Sequence, residues 1–345
     1  MKHSIHDLIA TLLLSGFSCF SSVWASSSTH VRQAPLKSLL RFHDQASYLT
    51  PAPNGRYLAY LSGRLQESVH QRKLRIIDLD TGNIVQVCNT AVGAAFSWAP
   101  YGYRLVYRQL HSSPQTKEKR ATIWVYDTGL QRSKQMQALQ KGASWPIVDP
   151  ITHSMRYLSP QGIHTFKFRY PGRYTAQWRQ KLQEHQSGYW LVTHQAVFWQ
   201  LKGTGAVKEV STSKVPILSY TISTDGKAIS WANKQEEIYI SEQGGPAKFI
   251  AYGRHVNWHP IRKQLLFSGA RITGNTVVGY DLRVRSSQGT LYWLTHTPHS
   301  NESWPFWDRS SLKVLTTTDH TDQLYQLQQR SPKHASTYAR QAGTR

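Results

Sequence analysis

Short apolar runs recur along the chain, alternating with polar residues or standing three or four together, and each is bounded by a turn rich in Pro, Gly, Asn or Asp. That pattern predicts strands and hairpins rather than amphipathic helices. Leu105-Val-Tyr107 follows Trp98-Ala-Pro-Tyr-Gly102, and Leu265-Leu-Phe267 follows Trp258-His-Pro260. Comparable runs follow Ala52-Pro-Asn-Gly55, Ser223-Thr-Asp-Gly226, Phe306-Trp-Asp-Arg309 and, more weakly, Val148-Asp-Pro150. Aligned on the proline column, the copies fall at Pro53, Pro100, Pro150, Thr224, Pro260 and Arg309, with intervals of 47, 50, 74, 36 and 49 residues. A second run then closes on Asp or Gly, as in Leu74–Gly82, Ile123–Gly129, Ile238–Gly245 and Val277–Leu282. Units of about 40–50 residues with several strands each are the mark of propeller blades.

The turn residues have a mechanical role. Pro fixes one backbone angle, while Asn, Asp and Gly supply the tight geometry that joins two strands. A β-sandwich with coincidental turns is the competing architecture, and six phased copies disfavour it. The interval of 74 contains two hairpin sets, Met155–Leu158 with Gly162–Phe168 and Tyr189–Thr193 with Ala196–Leu201. A hidden motif near His185 would split it into 35 and 39. The expected fold is therefore all-β, a propeller of six or seven four-stranded blades, with seven favoured.

The flanks read differently. Lys2, the apolar stretch Leu8 to Phe20 and Val23-Trp-Ala25 form an export signal cleaved after Ala25. Its apolar core is too short for a membrane span, and no later segment could span one. Cys19 is a poor lipidation site, because Leu is missing three residues before it. Once the signal leaves, Cys88 stands alone and no internal disulfide is possible. Residues 26–46 form a lead-in with one short helical candidate, Leu36–Phe42, and 47–328 form the propeller. Residues 329–345 hold four Lys or Arg and no acid, the composition of a disordered basic tail. A second short helix is expected at Trp178–Glu184.

Charge adds a partner class. With 41 Lys and Arg against 19 Asp and Glu, the net charge is +22, and removing residues 1–25 leaves it unchanged, since one Lys and one Asp go together. Such a field attracts acidic surfaces, either anionic envelope components or an acidic protein; a basic bias of the whole proteome would give the same number. The cations are spread along the chain, without zinc-finger, RNA-recognition or basic-helix patterns, so no nucleic-acid partner is expected.

At Trp98-Ala-Pro-Tyr-Gly, Trp258-His-Pro and Pro51-Ala-Pro-Asn-Gly-Arg-Tyr-Leu-Ala-Tyr60 the chain resembles the TolB-like family of periplasmic propellers, whose blades carry a Trp-Ser-Pro-Asp-Gly signature. The resemblance covers roughly 47–328. Only about 20 residues lie between the signal and the first blade, so the α/β domain that precedes the propeller in that family is not expected. The resemblance implies a periplasmic, non-enzymatic docking module that receives an envelope partner at one propeller mouth. A monomer without cofactor follows from the same reading.

No catalytic constellation stands out. There is no Gly-x-Ser-x-Gly elbow, and one cysteine cannot build a thiolate zinc site. Two histidine pairs, His255/His259 and His296/His299, could serve a propeller enzyme acting on an acidic glycan as lyase or hydrolase, with Asp308 or Glu302 nearby. That is the alternative function. The twelve Trp point to binding instead. Trp98, Trp145, Trp258, Trp304 and Trp307 recur at the turn that opens a unit, and most should fill the wedge between blades. Trp304 and Trp307 flank Pro305 and Phe306, so one of the cluster should face the channel or its rim. The partner-binding candidates are Glu302, Trp304, Trp145 and His255; no metal ligand and no catalytic residue is assigned. A channel lined by aromatic and basic side chains would favour the binder, and a cluster of His, Asp and Glu the enzyme.

Overall fold

Every described element is a strand, as the short alternating runs require. The computed structural model describes residues 36–42, 44–64, 71–88, 92, 95–112, 119–168, 187–308, 312–318 and 322–327, all within one compact unit, Gln33–Arg345. The export signal, the tail, Cys19, the Trp178–Glu184 helix, the motif near His185 and the turn at 309–311 lie outside the described residues.

The first unit is an antiparallel sheet of β2 (Ala46–Pro51), β3 (Tyr57–Ser62), β4 (Lys73–Asp78) and β5 (Ile84–Cys88), in that order. The second is β6 (Phe96–Trp98), β7 (Arg104–Ser112), β8 (Lys119–Asp127) and β9 (Arg132–Lys141). A sheet of β10 (Ile147–Val148), β11 (Ser154–Ser159) and β12 (Gly162–Lys167) follows. The 74-residue interval then contributes a sheet of its own, β13 (Gly188–Val192), β14 (Ala196–Leu201) and β15 (Val207–Thr212).

Next come β16 (Ile217–Ile222), β17 (Ala228–Asn233), β18 (Glu237–Glu242), β19 (Lys248–Trp258), β20 (Leu265–Thr273), β21 (Thr276–Arg285) and β22 (Leu291–Trp293) as one seven-stranded sheet. Its two halves share β19. The first part of that strand pairs with β18 as an outer strand, and the last part pairs with β20 as the leading strand of the next unit. The final sheet is β23 (Glu302–Trp307), β24 (Val314–Thr318) and β25 (Gln323–Leu327).

The ring is closed by the N-terminal segment. Leu36–Arg41, expected as a short helix in a lead-in, is instead strand β1, paired antiparallel with β25 from Leu36↔Leu327 to Arg41↔Gln323. The physical reason is tertiary. The free edge of β25 offers a ladder of unpaired backbone groups, and those hydrogen bonds outweigh a weak local helix preference in six residues. Phe42, just beyond the strand, is 2% exposed and packs on Tyr60 at 4.8 Å, which anchors the closure in the first unit's core.

Between units the core is aromatic and aliphatic. Strand β17 is buried along its whole length, as a strand covered on both faces must be. Trp199 and Trp231 are the largest fully buried side chains, and they share a cluster with Trp145, Trp190 and Ile217 that joins three sheets. Trp199 packs so closely on Gly244 that a Cβ there would lie 2.4 Å from its ring, and Gly244 also holds φ +71. That turn needs glycine for both reasons. Cys88, expected as a buried apolar residue, is half-buried at the end of β5 and packs against the first core cluster.

Candidate functional site

Six leading strands (β2, β6, β10, β16, β19 and β23) surround a central cavity of about 360 Å³, and none of β13–β15 reaches it. One end is ringed by the motif turns: Pro53, Pro100, Pro150, Thr224 and Pro260 all line it. Proline has no N–H, so the rim exposes few backbone donors. The walls are aromatic, formed by Trp98, Trp145, Trp258, Trp304 and Trp307 with Phe96, Tyr48 and Tyr220.

An aromatic belt runs around the cavity five residues before the proline column. Tyr48, Trp145, His255 and Trp304 hold that position in their repeats. The Trp304 ring stacks on His255 at 3.6 Å and leans on Tyr48 at 4.4 Å. Across the lumen Trp145 stacks on Tyr220 at 5.3 Å. Three belt residues stand in the left-handed backbone region: Tyr48 at φ 55°, His255 at φ 57° and Trp304 at φ 53°. Each sits in a register shift of its strand, between Ser47 and Thr50, Arg254 and Asn257, and Ser303 and Phe306. Such a conformation costs a bulky residue on the order of 1–3 kcal/mol and concentrates at functional positions. The bulge adds one residue to the strand's alternation, so Trp304 and Trp307 both face the cavity while Phe306, 0% exposed, enters the core. It also frees the Trp304 N–H, which donates to His255 Nδ1 at 3.2 Å.

The lining contains no Lys, Arg, Asp or Glu. Burial holds the His255 imidazole well below its ordinary pKa, and the neighbouring Arg254 charge pushes the same way, so the ring is neutral at pH 7. The expected aromatic and basic lining is thus corrected to an aromatic, uncharged one. Cations stand behind it, where Arg72 acts on Tyr48, Arg108 on Tyr220 and Arg254 on His255. A guanidinium in the wall would need a buried counter-charge, and the lumen has none to offer.

Three of the four candidate residues come together here: Trp145, His255 and Trp304. Glu302 does not join them. It is 0% exposed, accepts a hydrogen bond from the Thr297 hydroxyl at 2.5 Å, and lies against Asp281, itself 1% exposed. Burial pushes its carboxyl up to about 8, and the Asp281 charge adds to the rise against the Thr297 hydrogen bond. Glu302 therefore carries a proton at neutral pH and braces the base of β23 instead of meeting a partner. Asp281 accepts from the Thr297 N–H and hydroxyl, and lies 3.3 Å from the Arg271 guanidinium.

The histidine pairs do not converge. His255 belongs to the belt, while His259 caps its own turn, its Nδ1 accepting from the Ile261 and Arg262 N–H groups, with its ring against Trp307. His296 is exposed beside Asp281 at 3.8 Å. Among the described residues, no group of three or more His, Cys, Asp or Glu could hold a metal ion. Asp308 stands at the end of β23, where its backbone closes the following turn. Tyr48 and Tyr220 were not singled out from the sequence. Tyr48 was legible there, in the same column as Trp145, His255 and Trp304, whereas Tyr220 lies one residue off it.

No family model matches the chain, and no curated protein matches it in sequence. Solved structures do match it in fold. TolB from Acinetobacter baumannii superposes with TM-score 0.50 at 15% identity, over 79% of this chain and 59% of that one. A chain of a mitotic checkpoint complex superposes with TM-score 0.51 at 13% identity, over 92% of this chain and all of that one. At these identities the likeness establishes a β-propeller fold. Among the described residues, no helix is long and apolar enough to cross a membrane.

Proposed function

We propose that this protein is a non-catalytic docking module of the cell envelope, exported with cleavage after Ala25, that receives a partner at the proline-ringed mouth of its central cavity. The observation that carries the reading is the aromatic belt. Three bulky residues are held in a costly backbone conformation, and their rings wall an open cavity instead of filling a core. Rigid aromatic side chains in a preformed recess are the usual anchors of protein recognition. The belt presents one neutral imidazole and no carboxylate, a set that can stack and hydrogen-bond but offers no acid–base pair for hydrolysis or elimination.

Charge has a separate task in this reading. The net charge of +22 lies outside the cavity lining and steers an acidic partner toward the molecule, while the belt governs how long it stays. Export is supported by the Lys2, Leu8–Phe20 and Val23-Trp-Ala25 pattern. The test is capture from a solubilised envelope fraction by the protein beginning at Ser26 and by its Trp304→Ala variant. The reading expects capture by the former, weakened by about 2 kcal/mol in the variant, and chiefly slower association at high salt. Capture that is indifferent to Trp304, or no capture at low salt, overturns it.

A further inference from the structure

The cavity has an imbalance of hydrogen-bonding groups. In the repeat column two residues before the proline position stand Trp98, Trp258 and Trp307, each lining the lumen. Trp98 gives its indole N–H to the Thr50 carbonyl of the neighbouring unit at 2.8 Å. The indole N–H groups of Trp258 and Trp307 have no acceptor, although these side chains are only 7% and 8% exposed. An unmet buried donor costs about 1–3 kcal/mol, so two in equivalent places point to an acceptor that arrives from outside. The principal side-chain acceptor of the belt, His255 Nδ1, is already taken by the Trp304 N–H. The site is thus rich in donors, poor in acceptors, uncharged and walled by flat rings.

From this geometry we infer that the cavity binds an extended, proline-rich segment of the docked partner, a step that rests on the docking reading above. Such a segment matches the imbalance directly. Its carbonyls accept, its prolines bring no N–H that would be stranded in an acceptor-poor lumen, and their rings present flat faces to Trp and Tyr. The chain is also stiff before binding, so little conformational freedom is lost on entry. A sugar fits less well, since each hydroxyl brings a donor that would need an acceptor here. A cationic ligand would meet no carboxylate in the lining and an opposing field of +22. The volume of 360 Å³ takes roughly two or three residues, a segment and not a folded domain.

The test uses nitrogen-15 labelled protein and acetyl-nonaproline amide as the probe, with the indole N–H signals followed by NMR. The Trp258 and Trp307 signals should move downfield on titration while that of Trp98, already bonded, stays in place. Trp258→Phe and Trp307→Phe, which keep a ring and remove the donor, should each weaken binding about 5–10-fold. A Gly-Ser peptide of equal length and a neutral oligosaccharide should leave the signals unmoved. No shift at millimolar oligoproline, or equal shifts with either control, overturns the inference. If the captured envelope partner depends on Trp304 but oligoproline neither shifts the indoles nor displaces it, docking stands and this inference falls. If oligoproline shifts both indoles while capture ignores Trp304, this ligand assignment stands and the envelope-docking reading falls.

Discussion

Glu302→Gln should make the protein more stable at alkaline pH than the natural chain. In the folded state burial pushes the Glu302 carboxyl up to about 8, with Asp281 adding to the rise, whereas in the unfolded chain it titrates near the ordinary 4.5. Between those two values the unfolded chain has released the proton and the folded protein still holds it. The folded state binds more protons there, so stability is fully present below about 4.5, falls as pH rises, and levels off above about 8. The span corresponds to about 5 kcal/mol as an upper bound. Because the proton is shared with Asp281, about 2–3 kcal/mol is the expected loss.

Glutamine reproduces the protonated form. Its carbonyl can accept from the Thr297 hydroxyl, and its amide can donate to Asp281, without any titration. Denaturant unfolding of both proteins at pH 5 and pH 9 gives the comparison. Arg271 and His296, which also face Asp281, are common to both chains and cancel in the difference. Equal loss of stability from pH 5 to pH 9 in the two proteins would refute the protonated carboxyl at Glu302.

Other outcomes follow from the same geometry. Gly244→Ala should cost 3 kcal/mol or roughly more, because a positive φ and a 2.4 Å approach to the Trp199 ring coincide, and a chemical unfolding curve reads this directly. Trp304→Ala should lower partner affinity by about 2 kcal/mol with the fold retained; a melting temperature that falls sharply, with binding per folded molecule unchanged, would assign Trp304 to the core. Deleting 1–41 should open the ring by removing the strand paired with β25, seen as earlier unfolding and faster amide exchange at Leu324 and Leu327. N-terminal sequencing of the secreted or periplasmic form should begin at Ser26, and an intact Met1 on soluble cytoplasmic protein would contradict export.

The fold was legible in the sequence because its turns are chemical. Pro53, Pro100, Pro150 and Pro260 announce the unit boundaries, and the runs after them alternate as strands do. The closing strand was not legible, since Leu36–Arg41 has a weak local helix preference and becomes a strand only when β25 presents its edge. The belt was partly legible. Trp145, His255 and Trp304 were candidates as turn-opening aromatics or a tempting imidazole, and Tyr48 shares their column. Glu302 misled, because a charge near the start of a strand reads as a rim contact until its burial beside Asp281 is seen. The bulges at Tyr48, His255 and Trp304 leave no mark in composition, yet they decide which rings face the lumen.

Site-specific photo-cross-linking tests the central claim most directly. A benzoylphenylalanine placed at Trp145, in the cavity wall, should cross-link to the captured envelope partner. The same group at Val278, 54% exposed on the β20–β21 hairpin and outside the lining, should not. Cross-links from Val278 with none from Trp145 would show that the partner docks elsewhere and that the belt is not its site.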